Sequence, residues 1–142
     1  IVIADETTDG TSSNRGKVYH NGTQLTGFTT TVSQNETVSF NQNTAELYIG
    51  RSESSTYSLG GYIAELVIID GQQLAPTSFA EEKNGVWIPK DPSSLTFGNN
   101  GAYLKFENAS DLGNDSSGNN NDFSTNGLSA SNQVLDSPTF GS

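Results

Sequence analysis

Glu65 is the sharpest chemical anomaly in the chain. It shares one side of a strand-like stretch with Ile63, Val67 and Ile69, because alternation puts every second side chain on the same face. A carboxylate in that setting can serve a glycosidase as acid or nucleophile. That chemistry needs two carboxylates flanking one bond, about 5–5.5 Å apart for retention or about 6.5–9.5 Å for inversion. Along one strand a Glu-x-Asp-x-x-Glu spacing supplies them. Here Val67 and Ile69 follow Glu65, and Asp70 falls on the opposite face. The catalytic set is missing. Glu65 therefore reads as a structural carboxylate paired to Arg51, a tyrosine hydroxyl or backbone N–H groups.

Other residues suit binding better than catalysis. Asp111, Asn114 and Asp115 lie in a loop, Asp-Leu-Gly-Asn-Asp-Ser-Ser-Gly, that could offer Ca2+ the six to eight hard oxygens it prefers. The bidentate glutamate of a twelve-residue EF-hand loop is missing, and the alternative is a set of Asx turns. Asp5, Asp9 and Asn14 form a weaker candidate of the same kind. A saccharide site would stack an exposed aromatic on the sugar ring and bond its hydroxyls with amides. Tyr48 and Tyr57 with Asn119 and Asn120, in the asparagine-rich loop 119–121, are candidates for it; Trp87, the lone tryptophan, reads instead as packing over the end of the core. His20 is the lone histidine and lacks the nucleophile and orienting partner of a triad. Gly60-Gly61 is not a phosphate loop, since no helix or Gly-Lys-Ser/Thr follows.

Composition narrows the classes. The chain has 142 residues, enough for one domain with a core. Only 32% are hydrophobic, and 15 are glycine, which suits short strands and generous turns. No long segment keeps an apolar period near 3.6, so the expected class is all-β. A net charge of -10 repels phosphate and makes nucleic acid and anionic membranes poor partners. No run of roughly 18 apolar residues exists to span a bilayer. Without cysteine, disulfides, thiolate metal sites and cysteine nucleophiles are excluded. The chain starts at Ile1 inside an expected strand and reads as a fragment or processed product.

The elements that must position these residues follow from the apolar pattern. Tyr62 to Ile69 is expected as a central strand that buries both faces. Strands are also expected over Ile1–Ala4, Lys17–His20, Thr23–Phe28, Ala45–Gly50 and Ala102–Phe106, with weak signals at Val38 and Phe40. Asn21-Gly22 is a two-residue hairpin turn of type I′. Pro76 can open one short helix near 76–84, with Asn84-Gly85 as its stop. Pro89 argues against a central strand over Val86–Pro89. Residues 1–128 read as a single domain. Residues 129–142, with Ser137-Pro138-Thr139, read as a linker or boundary segment.

The order KVYHNGTQLTGF, LYIGRS, LGGYIAELVIIDGQQL resembles the second half of the concanavalin A-like, laminin-G-like jelly roll. There a Tyr-x-Asn-Gly hairpin precedes an Ile-Gly strand and a Gly-Tyr-Ile-x-Glu strand. The resemblance covers roughly residues 1–80. Residues 81–138, with GVWIPKDP, FGNNGAYLKF, DLGNDSSGNNNDF and DSPT, resemble the extension of such modules in bacteriophage virion proteins, particularly of marine and cyanobacterial phages. The first strands of the module are missing, and Ala102–Phe106 is expected to fill the place of the missing first strand, in this chain or a neighbouring one. The resemblance implies a jelly-roll β-sandwich and a non-enzymatic, lectin-like module of a virion structural protein. It would sit in a fibre or appendage on the particle surface, contact host glycans and other virion subunits, and form a homo-oligomer. The alternatives are a capsid- or tail-decorating assembly domain and, disfavoured by spacing, a glycan hydrolase.

Overall fold

The computed structural model describes residues 1–27, 32–37, 46–52 and 56–134. The expected strand positions Phe28, Val38, Phe40 and Ala45, and the boundary at Ser137-Pro138-Thr139, lie outside them.

Asn21-Gly22 organises the first sheet. Both residues take positive φ, 47° and 74°, as a type I′ turn demands. The turn joins β2 (Gly16–His20) to β3 (Thr23–Gln24). Strand β1 (Val2–Asp5) pairs antiparallel with the other edge of β2, Ile3 opposite Val18. Ala4 points inward while Ile3 is exposed, the alternation of a one-sided sheet. Between β1 and β2, the expected loop holds a four-residue helical turn, α1 (Ser12–Arg15).

The expected central strand is much shorter than its apolar run. Only Leu66–Ile68 forms β4. Glu65 adopts φ 53°, a left-handed conformation that breaks the extended backbone. Before it, Tyr62 is 84% exposed and Ile63 is also exposed, so the two-faced burial expected of Tyr62–Ile69 is not realised. The Ala45–Gly50 strand is also not formed over its described part; an isolated bridge between Arg51 and Ser58 takes its place.

The helix expected near 76–84 is a hairpin. Pro76–Ser78 makes one 3-10 turn, and the chain then enters β5 (Ala80–Lys83), which pairs with β6 (Val86–Pro89). Asn84 and Gly85 have φ 54° and 79°. The pair that can stop a helix also makes a type I′ turn, and here it closes a hairpin. Pro89 sits at the end of a two-stranded ribbon, where its missing N–H costs nothing in the interior of a sheet.

Strand β7 (Ala102–Leu104) pairs antiparallel with β4, Tyr103 opposite Val67. Ala102, Tyr103 and Leu104 are each 1% exposed, and Ile68, Phe97 and Leu112 complete the centre of the core. The described residues thus form antiparallel sheets of three, two and two strands with very little helix, an all-β chain. After β7, Phe106 takes φ 57°. Gln133, in the segment read as linker, donates its side-chain N–H to Phe106 O at 2.7 Å.

Close approach, not turn geometry, explains Gly101 and Gly113. A Cβ on Gly101 would lie 1.9 Å from Phe97 O, and one on Gly113 only 1.6 Å from Phe123 O. Gly113→Ala is expected to lower stability by about 3 kcal/mol through forced backbone displacement. Gly10→Ala, with open space around it, is expected to leave stability unchanged or raise it by about 0.5 kcal/mol. Urea unfolding of the two variants checks both.

Candidate functional site

The loop after β7 is built around one carboxylate. Asp115 is 7% exposed. Its Oδ1 accepts from the backbone N–H of Tyr103 at 2.8 Å and of Ser117 at 2.8 Å. Its Oδ2 accepts from the Ser117 hydroxyl at 2.8 Å and the Asn121 N–H at 3.0 Å. The Asp115 N–H donates to Asp122 Oδ1 at 2.8 Å. Asp111 Oδ1 accepts from Gly113 N–H at 3.2 Å, an Asx turn. Asn114 is exposed, its N–H bonded to Asp111 O at 3.2 Å.

This geometry bears on the calcium expectation. A calcium ligand must turn its lone pairs toward the cation. Both oxygens of Asp115 instead face N–H and O–H donors. Among the described residues no group of three or more His, Cys, Asp or Glu could hold a metal ion. Both oxygens of Asp115 and one oxygen of Asp111 are thus engaged by donors of the chain itself, in the manner of Asx turns. Asp9 is engaged in the same way, by Thr11 N–H at 2.7 Å and the Asn14 amide at 3.2 Å.

The asparagines of the same loop turn inward to backbone. Asn119 donates to Gly98 O at 2.6 Å and Gly101 O at 2.9 Å. Asn121 donates to Asn99 O at 3.0 Å and Gly101 O at 2.8 Å. The amide donors of Asn119, an expected sugar ligand, are thus spent on the Phe97–Gly101 turn. Asn120 is exposed, with φ 59°. Asn121 belongs to the asparagine-rich loop 119–121 expected to bond sugar hydroxyls, whereas Asp122, which accepts the Asp115 N–H, escaped the sequence reading. Asn100, Asn121, Asp122 and Phe123 also line a shallow depression of about 250 Å³.

Glu65 finds the tyrosine partner among its possible ones. The Tyr103 hydroxyl donates to Glu65 Oε2, and the Tyr103 ring stacks on Phe97 with centroids 6.1 Å apart. Arg51 lies elsewhere, its guanidinium 4.1 Å from the centroid of the Tyr48 ring. The Tyr48 hydroxyl donates to Glu46, which raises its pKa. Tyr48 is therefore capped on one face, whereas Tyr57 is 74% exposed. His20 is exposed at the end of β2.

Trp87 is half-buried. It rises from β6 opposite Glu82 of β5 and rests on Gly22 of the first hairpin turn, where a Cβ would fall 2.7 Å from the indole Cη2. A cleft of about 430 Å³ opens there between the two Asn-Gly turns, lined by Asn21, Gly22, Thr23, Glu82, Gly85 and Trp87.

Two titrations bracket the stable range. Burial opposes ionisation of Asp115, but the donors from Tyr103, Ser117 and Asn121 outweigh it and hold its carboxyl below the usual range. Its stabilisation is complete above the unfolded value of about 4 and is lost as pH falls through the lower folded value. Burial first, and then the bond to Glu65, pushes the Tyr103 phenol above the usual range. That contribution is complete below about pH 10 and is lost as pH rises toward the folded value. The urea midpoint should fall beyond both limits. Asp115→Asn should flatten the acid limb and Tyr103→Phe the alkaline one, each with a loss of about 1–3 kcal/mol at neutral pH. Removing divalent cations with EDTA should leave the melting temperature unchanged; a rise of more than about 3 °C on adding calcium would assign a cation to the loop.

Comparison of the chain with protein-family models, with curated proteins and with solved structures gave no match.

Proposed function

We propose that the chain is a non-enzymatic, lectin-like module of jelly-roll type from a phage virion protein, part of a fibre or appendage that contacts host-surface glycans. The observation that carries this reading is Tyr57, an aromatic ring 74% exposed beside the Arg51–Ser58 bridge. A ring so open is not packing, and an aromatic face suits the C–H side of a sugar. An all-β scaffold with long polar loops supports it, as does the resemblance of the Gly-Tyr-Ile-Ala-Glu stretch to such modules. Glu65, the carboxylate a glycan hydrolase would use, is bonded to a buried tyrosine. The acidic surface favours neutral glycans over anionic ones.

A second reading, an assembly or decoration domain, is favoured by one observation. Leu59, Tyr62 and Ile63 continue the exposure of Tyr57 along the same segment, and such apolar runs often meet another subunit.

A glycan array distinguishes the two. The expected result is binding of neutral glycans that falls about tenfold in Tyr57→Ala, with the melting temperature unchanged. A blank array together with a stable oligomer dispersed by Tyr62→Ser would replace the first reading with the second. Polysaccharide turnover abolished by Glu65→Gln would overturn both.

A further inference from the structure

The cleft at Trp87 has the features of a binding site rather than of a packing defect. Its volume, about 430 Å³, lies within the range of small-ligand sites, about 300–1,000 Å³. Its platform is held in place. The six-membered part of the indole lies against Gly22, with Cη2, Cζ3 and Cζ2 all within 2.9 Å of where a Cβ would be. Gly22 also has φ 74°, so turn geometry and ring contact both require glycine there. Glu82 faces Trp87 directly across the β5–β6 ribbon, which puts both side chains on one face. Asn21, Thr23 and Glu82 are exposed, and Trp87 is half-buried.

The polar groups around the ring are unspent. Among the described residues, no hydrogen bond or ion pair engages the side chain of Asn21, Thr23, Glu82 or Trp87. This contrasts with the 115–121 loop, where the side chains of Asp115, Asn119 and Asn121 are bonded to backbone. The residues lining the cleft therefore carry an amide, a hydroxyl and a carboxylate beside one aromatic ring. Donors and acceptors mixed in this way match a ring that carries several hydroxyls.

We infer that the Trp87 cleft is a subsite for a neutral saccharide, stacked on the indole and bonded by Asn21, Thr23 and Glu82; this rests on the glycan-binding reading above and adds a site to it. A quaternary ammonium is the competing ligand, since Trp and a carboxylate attract cations. Cation capture uses a cage of several aromatics, and this cleft has one ring among hydrogen-bonding groups. Anionic sugars are disfavoured by Glu82 and by the net charge of -10.

Trp87 is the lone tryptophan, so its fluorescence reports this cleft alone. The full chain is titrated with lactose, maltotriose and chitotriose, and in separate arms with sialyllactose and choline. The expected result is a saturable emission shift with at least one neutral sugar, weakened about tenfold in Glu82→Ala and unchanged in Tyr57→Ala. Trp87→Ala should lose the same sugar on the array; Glu82→Ala, at an exposed position, keeps the test valid should that variant misfold. No shift with any neutral sugar, a shift with choline or sialyllactose alone, or full affinity in Glu82→Ala overturns the cleft. Array binding that persists in Glu82→Ala but falls in Tyr57→Ala overturns the cleft and leaves the lectin reading standing, whereas a blank array for the unaltered chain removes both.

Discussion

The bond from the Tyr103 N–H to the Asp115 carboxylate is the contact on which the described structure most depends. It joins the strand at the centre of the core to the loop that follows it. Tyr103 is held on every side: Val67 across the β4–β7 pair, Phe97 on its ring, Glu65 at its hydroxyl and Asp115 at its backbone. Its carbonyl accepts from Ser116 N–H at 2.8 Å. Because a buried carboxylate is costly without donors, Asp115 forces the chain from 115 to 121 to fold around it. That loop then supplies the amides that satisfy the carbonyls of Gly98, Asn99 and Gly101. The Phe97–Gly101 turn is in turn tied to the end of β4, since Asp70 Oδ2 accepts from both the N–H and the amide of Asn100. A small apolar core is thus completed by polar closure.

The same economy engages carboxylates and amides whose residue types suggest chemistry. Asp111, Asp115 and Asn119 are bonded to backbone, and Glu65 is bonded to Tyr103. A group whose lone pairs or protons are taken by the fold has little to offer a ligand without rearrangement. Groups left open are the better guide, and among the described residues they include the exposed aromatics of the 57–63 segment and the cleft beneath Trp87. Both lie outside the polar closure, where a side chain can change its partner without unfolding its neighbours.

Two Asn-Gly pairs show how far local sequence reaches. Asn21-Gly22 was legible as a hairpin turn because alternating strands flank it. Asn84-Gly85 is chemically the same pair, yet read as a helix stop because Pro76 opens a turn before it. The outcome turned on whether residues 80–83 extend or coil. Ala-Glu-Glu-Lys has strong helix propensity, but pairing with Val86–Pro89 gives those residues a ladder and sets Trp87 on Gly22. Propensity is worth tenths of a kcal/mol per residue, and tertiary packing overrides it.

The all-β class, the first hairpin and a strand within Ala102–Phe106, formed over Ala102–Leu104, were set by residue order alone. These depend on alternation, turn chemistry and spacing, which are local. The choice of a tyrosine for Glu65, the inward turn of Asn119 and Asn121, the truncation of the apolar run at Glu65 and the Trp87 cleft were decided only by tertiary structure. The truncation apart, each is a contact between groups at least 18 residues apart, as in Asn119 with Gly101, or 38 apart, as in Tyr103 with Glu65. An amide or a carboxylate carries no mark in its own neighbourhood of which distant donor or acceptor it will meet. The spacing of residues could say that Val67 and Ile69, not carboxylates, follow Glu65 on its face; only the fold could say that Tyr103 is its partner.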